Sequence, residues 1–288
     1  MTGNVGDSTE FGPGVGPASE PRSYPQGFFT PAPGAAQILL IRHGQSAPYV
    51  TGQPFPLVDG HGDPPLTDLG HFQARLVARR LQIEPITRIY VSTLTRTHQT
   101  AVPLARALGL EPDVEPDVRE VFLGDAEGGV LREMFANDHP IARRIRKTGE
   151  WGSIPNAETN ALFTRRTVGA VSRIAERHPG EMVAVFCHGG VIASVLAHAA
   201  GTVLRAFAGA RHTSVNHLVI QRWPDQDTSN PDAPEAGPPS TNGTGASVTD
   251  HDWIIRSFND ASHAGHLTGD HLPGQDFPST HPLDTISE

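Results

Sequence analysis

Three short apolar runs, each stopping at a residue with chemistry of its own, constrain this chain more than any other feature. Ile38-Leu39-Leu40-Ile41 runs into Arg42-His43-Gly44, Ile89-Tyr90-Val91 into Ser92, and Met182–Phe186 into Cys187-His188-Gly189-Gly190. A continuous apolar run offers no polar face to water, so it fits a strand covered on both sides. Helical spacing falls between these runs. In 69–81, Leu69, Phe72, Leu76 and Leu81 mark one face, with Arg75, Arg79 and Arg80 elsewhere. A helix is predicted from about Arg96 to Leu108, ended by Gly109, with Pro103 inside it as a source of kink or strain. Another covers 158–178, with Phe163, Ala170, Val171, Ile174 and His178 on one side and Gly180 at its end, and a further one contains Ser194–Ala200. Ser214–Ile220 and Trp253–Phe258 read as strands. The βαβα order predicts a three-layer α/β/α sandwich around a mostly parallel sheet.

Composition limits how much of the chain belongs to that sandwich. The 30 Gly and 26 Pro concentrate in three segments, 1–35, 224–249 and 267–288. These hold few large apolar groups and cannot offset the entropy of ordering, so they are expected to be a disordered N-terminal segment, a flexible insertion and a disordered tail around a domain of 36–266. The formal charge of −9 argues against a general nucleic-acid or membrane-surface binder. The first residues carry no basic and apolar leader, and the long apolar stretch 191–210 contains His198 and Arg205, so it reads as soluble helix rather than a span. Cys187 is the single cysteine, which excludes an intramolecular disulfide and fits a reducing, cytoplasmic setting.

In an open α/β sheet, ligands sit outside the carboxyl ends of the strands. That rule brings Arg42, His43, Ser92, Arg96 and His188 to one edge. Helix N-termini following the strands add N–H donors and the positive ends of their dipoles. Arginine forks match the oxygens of a compact dianion such as phosphate. Read alone, Glu120 is a solvated loop acid near Asp117, Asp125 and Glu127. Cys187 reads as a small buried residue, and Arg143-Arg144-Ile145-Arg146-Lys147 as a solvated helix face. His61, His71 and His98 lack metal-ligand spacing.

Taken in order, LLIRHGQS (39–46), DPPLTDLGHFQA (63–74), IYVSTLTRTHQTA (89–101), DVREVFLGDAEGG (117–129), AVFCHGGVI (184–192) and WIIRSFNDASH (253–263) resemble the histidine phosphatase superfamily, the phosphoglycerate mutase-like family, over roughly 36–266. The resemblance implies that His43 is the nucleophile that becomes phosphorylated. It further implies that Arg42, Arg96 and His188 bind the phosphoryl oxygens and that Glu120 is the proton donor. Gln45, Ser46, Tyr49 and Gly189 join them around the substrate. It implies no metal and no cofactor.

Departures from the family pattern refine this expectation. Tyr49 stands where an asparagine is common, so the pocket rim should differ. Gly189, not aspartate, follows His188, which sets aside the acid-phosphatase branch. The run Val118-Arg119-Glu120-Val121-Phe122 is closer to the hydrolase subgroup than to the mutases. The expected activity is therefore hydrolysis of a small phosphorylated metabolite, without nucleic-acid or membrane partners. A phosphoglycerate mutase and a weakly active phospho-ligand-binding protein are the alternatives. The oligomeric state stays open, a homodimer being one option. Segment 121–160 should form much of the rim.

Overall fold

The computed structural model describes residues 26–222 and 251–268. The segment expected to lack structure at 224–249, residues 269–288 of the one expected at 267–288, and residues 1–25 of the N-terminal one lie outside the described residues; residues 267 and 268 belong to a 3₁₀ turn, Ser262–Thr268.

Among the described residues, six strands form one sheet in the order β5-β4-β6-β1-β7-β8. They are β1 (Ala36–Arg42), β4 (Ile86–Val91), β5 (Asp113–Val114), β6 (Met182–Cys187), β7 (Val215–Arg222) and β8 (His251–Asp260); β2 (Leu57–Val58) and β3 (His61–Gly62) make a separate hairpin. The pairings β1–β6, β6–β4 and β4–β5 are parallel, as the continuous apolar runs require. The pairings β1–β7 and β7–β8 are antiparallel, giving the sheet an antiparallel edge. β1 starts at Ala36, but Ala35 is already buried, and the Ala32 N–H donates to Gln221 Oε1 at 3.3 Å. Ala32 and Ala35, expected in the N-terminal segment, therefore contact the domain.

The central strands alternate between two cores. Ile38 and Leu40 of β1, with Val183 and Val185 of β6, pack against Phe163, Val171 and Ile174 of α5 (Asn160–Arg177) and against Val191, Ile192 and Val195 of α6 (Gly189–Ala199). Leu39, Ile41, Ala184 and Phe186 face the other way, onto Val77 and Leu81 of α1 (Asp68–Leu81) and Ala101 and Leu104 of α2 (Thr95–Leu108). This is the three-layer sandwich.

Two local expectations are corrected and one holds. The buried face of α1 is Gly70, Gln73, Ala74, Val77, Ala78 and Leu81, not the Leu69/Phe72/Leu76 face, which is half-buried. Close approach decides this: a Cβ on Gly70 would collide with the Gln45 carbonyl, so small residues face inward and the bulky ones flank the contact. As expected, α2 runs to Leu108 with Pro103 inside it and closes on Gly109 in the left-handed region. His178, rather than Gly180, caps α5; Gly180 supplies a positive φ in the turn into β6.

Residues 121–160 fold into a small layer of their own, with α3 (Val130–Ala136) and α4 (Pro140–Thr148) around Ala126, Ile145 and Ile154. Arg143, Arg144, Arg146 and Lys147 of α4 are exposed, and Ile145 turns inward. Among the described residues, no helix is long and apolar enough to cross a membrane.

Candidate active site

His43 leaves the end of β1 with its N–H donated to the Cys187 carbonyl at 3.0 Å, which locks the two parallel strand ends together. The Gly44 N–H donates to Thr100 Oγ1 at 3.0 Å and the Gln45 N–H to Gln73 Oε1 at 2.9 Å. The segment after β1 is thereby tied to both α1 and α2. Gly44 must be glycine, since a Cβ there would lie 2.6 Å from the Gly70 carbonyl oxygen.

His43 is 7% exposed, and its Nδ1 lies 2.7 Å from the Gly44 carbonyl. A carbonyl can only accept, so Nδ1 carries the proton and Nε2 keeps its lone pair. Burial pushes the His43 pKa well below the ordinary histidine value, and Arg96, His188, Arg42 and His212 push it further, so the ring is neutral.

His43 stands in the wall of a cavity of about 1070 Å³. Arg42, Gln45, Ser46, Arg96 and Glu120, all singled out in the sequence, share that wall. Arg96 comes from the first turn of α2. Asp63 receives the Thr95 N–H at 2.9 Å and the Thr95 hydroxyl at 2.6 Å, capping α2, and also stands 3.6 Å from the Arg96 guanidinium. Arg96 NH1 donates to the Gly62 carbonyl at 3.1 Å.

Glu120 is held by two backbone donors, Val121 N–H at 3.0 Å and Gly190 N–H at 3.1 Å, the latter in the first turn of α6. A Cβ on Gly190 would collide with the Glu120 carboxylate, so the glycine makes room for the acid. Arg166 fixes the turn from beneath. It grips Glu158 at 2.8 and 2.9 Å and donates to the carbonyls of Asp117, Arg119 and Glu120, each at 2.8 Å. Of the neighbouring acids, Glu127 also lines the cavity, its oxygens accepting from the N–H groups of Leu123 and Gly62. Asp125 accepts from Asn156 Nδ2 and is not on the wall.

Three expected residues stand elsewhere. His188 is fully buried, its ring centroid 5.2 Å from that of His43, with Nε2 paired to Ser92 Oγ at 2.9 Å and Nδ1 unpartnered among the described residues. Tyr49 is not on the wall: its ring packs edge-on to Phe55 and against Gly129. Gly189 begins α6 behind Arg42 and is likewise off the wall. Cys187 is buried, which pushes its thiol pKa up, with Glu120 adding to the effect.

Sequence reasoning missed His61, Arg132 and His212. Arg132, on α3, donates to the Ala47 carbonyl at 2.7 Å and Ser46 Oγ at 3.0 Å and lies 5.0 Å over the Phe55 ring. The only signal for it was its place just after the Glu127-Gly128-Gly129 run. His212 precedes β7. A strand antiparallel to β1 begins at the edge where β1 ends, so an antiparallel partner would have pointed to it. Burial, then Arg42 and Arg132, lower its pKa to about 3. Thr213 behind it has φ +56°, the one positive-φ residue among the described non-glycines that is neither Asp nor Asn. For a β-branched residue that strain costs about 1–3 kcal/mol. Among the described residues, no three His, Cys, Asp or Glu side chains are grouped to hold a metal ion.

This arrangement combines an unprotonated nitrogen, several guanidinium groups and two oriented carboxyl groups, Glu120 and Glu127, around a single cavity. Such a set can attack phosphorus, hold its oxygens and move a proton. A family model described as histidine phosphatase superfamily (branch 1) matches residues 38–228. The probable phosphoglycerate mutase GpmB of Yersinia enterocolitica is 32% identical over 160 residues, covering 56% of this chain and 73% of that protein. Phosphoglycerate mutase-like protein 4 of Arabidopsis thaliana is 34% identical over 202 residues, covering 66% and 85%. Among solved structures, a mycobacterial glucosyl-3-phosphoglycerate phosphatase aligns with a TM-score of 0.59 at 23% identity, over 78% of this chain and 99% of that one. A phosphoglycerate mutase from Bacillus anthracis aligns at 0.60 and 19% identity, over 82% and 98%. At these identities the structural likeness is one of fold.

Proposed function

This chain belongs to the histidine phosphatase superfamily, branch 1, and on that premise we propose that it hydrolyses a small phosphomonoester through a phosphohistidine on His43. The observation that carries this reading is the His43 tautomer: Nδ1–H is donated to the Gly44 carbonyl, which leaves Nε2 as a nucleophile in a wall shared with Arg42, Arg96 and Glu120.

In the first step Nε2 forms a bond to phosphorus as the ester P–O bond breaks. Glu120 gives its proton to the departing alkoxide. In the second step water attacks the phosphohistidine, Glu120 takes a proton from that water, and the N–P bond breaks to release inorganic phosphate. Arg42 and Arg96 stabilise the charge on the phosphoryl oxygens throughout, with His188 beside the His43 ring. This route requires no metal ion, because guanidinium groups supply the charge.

A mutase shares the first step and passes the phosphoryl group to a second hydroxyl instead of water. One experiment tests the mechanism and separates the two outcomes. Rapid quench with p-nitrophenyl phosphate should trap acid-labile phosphate on His43, followed by release of inorganic phosphate, and His43→Ala should abolish both. Label on another residue defeats the mechanism. Label on His43 that leaves only when a phosphoglycerate is added points to the mutase.

A further inference from the structure

His212 sits on the cavity wall with its ring centroid 6.1 Å from that of His43. Among the described residues, neither of its ring nitrogens has a hydrogen-bond partner. The backbone around it is over-determined. The Thr213 N–H donates to the Arg42 carbonyl at 3.0 Å, and the Arg42 N–H to the Ser214 carbonyl at 3.3 Å. Arg42 NH1 donates to the Ala210 carbonyl at 2.5 Å, and the Thr213 hydroxyl to the His212 carbonyl at 2.8 Å. The His263 ring reaches Thr213 Oγ1 at 3.3 Å. Together these hold fully buried Thr213 at φ +56°. A strained β-branched residue persists only where its surroundings insist on it, and such strain gathers at functional sites. Here it presents one imidazole, locked to the Arg42 backbone, beside the nucleophile.

We propose that His212 is a further phosphoryl ligand: a neutral imidazole that donates one N–H to a non-bridging oxygen of the phosphoryl group as it transfers to His43. The role rests on the phosphohistidine reading above. A centroid separation of 6.1 Å puts both rings within reach of one phosphoryl group: an oxygen beside the line joining them can lie about 2.9 Å from the donating nitrogen while its phosphorus faces His43. The donor is uncharged, so it adds directionality to the fields of Arg42 and Arg96 without more repulsion between cations.

The test is single-turnover phosphorylation of His43, measured with p-nitrophenyl phosphate and with an alkyl phosphate, in the full chain. His212→Phe keeps a ring and removes the N–H; His212→Asn keeps a shorter N–H donor. The Phe variant should label His43 about 10- to 100-fold more slowly on both substrates, because the phosphoryl oxygens are common to them. The Asn variant should recover part of that loss, which a purely structural role would not produce. A wild-type labelling rate in the Phe variant overturns the proposal. So does a loss confined to one substrate, which would place His212 at the leaving group, and so do equal losses in both variants. Wild-type protein that carries no label on His43 defeats the phosphohistidine reading itself, so the two failures are told apart.

Discussion

Both oxygens of Glu120 are engaged by backbone N–H groups, from Val121 and from Gly190, so the carboxyl group is aimed rather than loose. This orientation matters only where a proton must move. A nitrophenolate leaves without help, whereas an alkoxide needs a proton in the transition state. Glu120→Gln should therefore slow His43 phosphorylation by an alkyl phosphate about 10²- to 10⁴-fold, and far less by p-nitrophenyl phosphate. Arg96→Ala should slow both alike. Single-turnover rates on the two substrates decide the matter; equal losses for Glu120→Gln would remove it from the proton-transfer role. The same logic separates Glu120 from His212, whose loss should not depend on the leaving group.

At the scale of elements, the site is an edge where parallel strands end and helices begin, stitched by side chains that never touch substrate. Arg166 on α5 is the clearest case. Its five hydrogen bonds join Glu158 to the carbonyls of residues 117, 119 and 120, so it sets the turn that carries the acid. The Phe163 ring lies 4.8 Å beneath it. A lysine cannot reproduce that fork. Arg166→Lys should lower stability by at least about 2 kcal/mol, given the charge-assisted bonds lost. It should also reduce kcat on alkyl phosphates more than on p-nitrophenyl phosphate, because the misplaced group is the acid. Denaturant melts and a kcat comparison on the two substrates test both parts, and an unchanged substrate ratio would detach Arg166 from the acid.

For the molecule as a whole, the cavity carries a pH signature. Burial, aided by the arginines, holds the pKa values of His43 and His188 well below the ordinary value and that of His212 at about 3. Above pH about 6.5 these rings are neutral folded or unfolded, and they contribute nothing to the pH dependence of stability. Below it the unfolded chain takes up protons that the folded chain refuses, so stability falls as pH falls, for His212 down to about pH 3. The three rings act in the same direction, so the decline begins below the ordinary histidine pKa, and His212 carries it on toward pH 3. The Arg80–Asp260 pair acts in a lower window. Arg80 holds Asp260 at about 2, so its stabilisation is present above pH about 3.9 and lost toward 2, and its partial exposure keeps it small. Thermal melts from pH 7.5 to 5 should show a steep decline in Tm. A flat profile would mean that the buried rings take up protons in the folded state.

The residues that could be read from the sequence were those whose roles follow from their immediate neighbours. Ile38–Ile41 and Met182–Phe186 had to be doubly covered strands because nothing in them could face water. Arg42, His43, Arg96 and His188 followed because the end of a parallel strand is a fixed place in such a sheet. Glu120 came from its motif alone. The buried face of α1 was misread, because close approach to the 43–45 segment requires Gly70, which turns the face carrying Ala74, Val77, Ala78 and Leu81 inward and leaves Leu69 and Phe72 half-buried. Arg132 reaches Ser46 only through the fold of 121–160. His61 arrives on a two-residue hairpin strand too short to show a period. His212 arrives because β7 runs against β1, starting where β1 ends. Strand cores and strand ends are set by local hydrophobicity, which one sequence displays. The company a side chain keeps across the cavity depends on strand direction and loop path, which exist only once distant segments have paired.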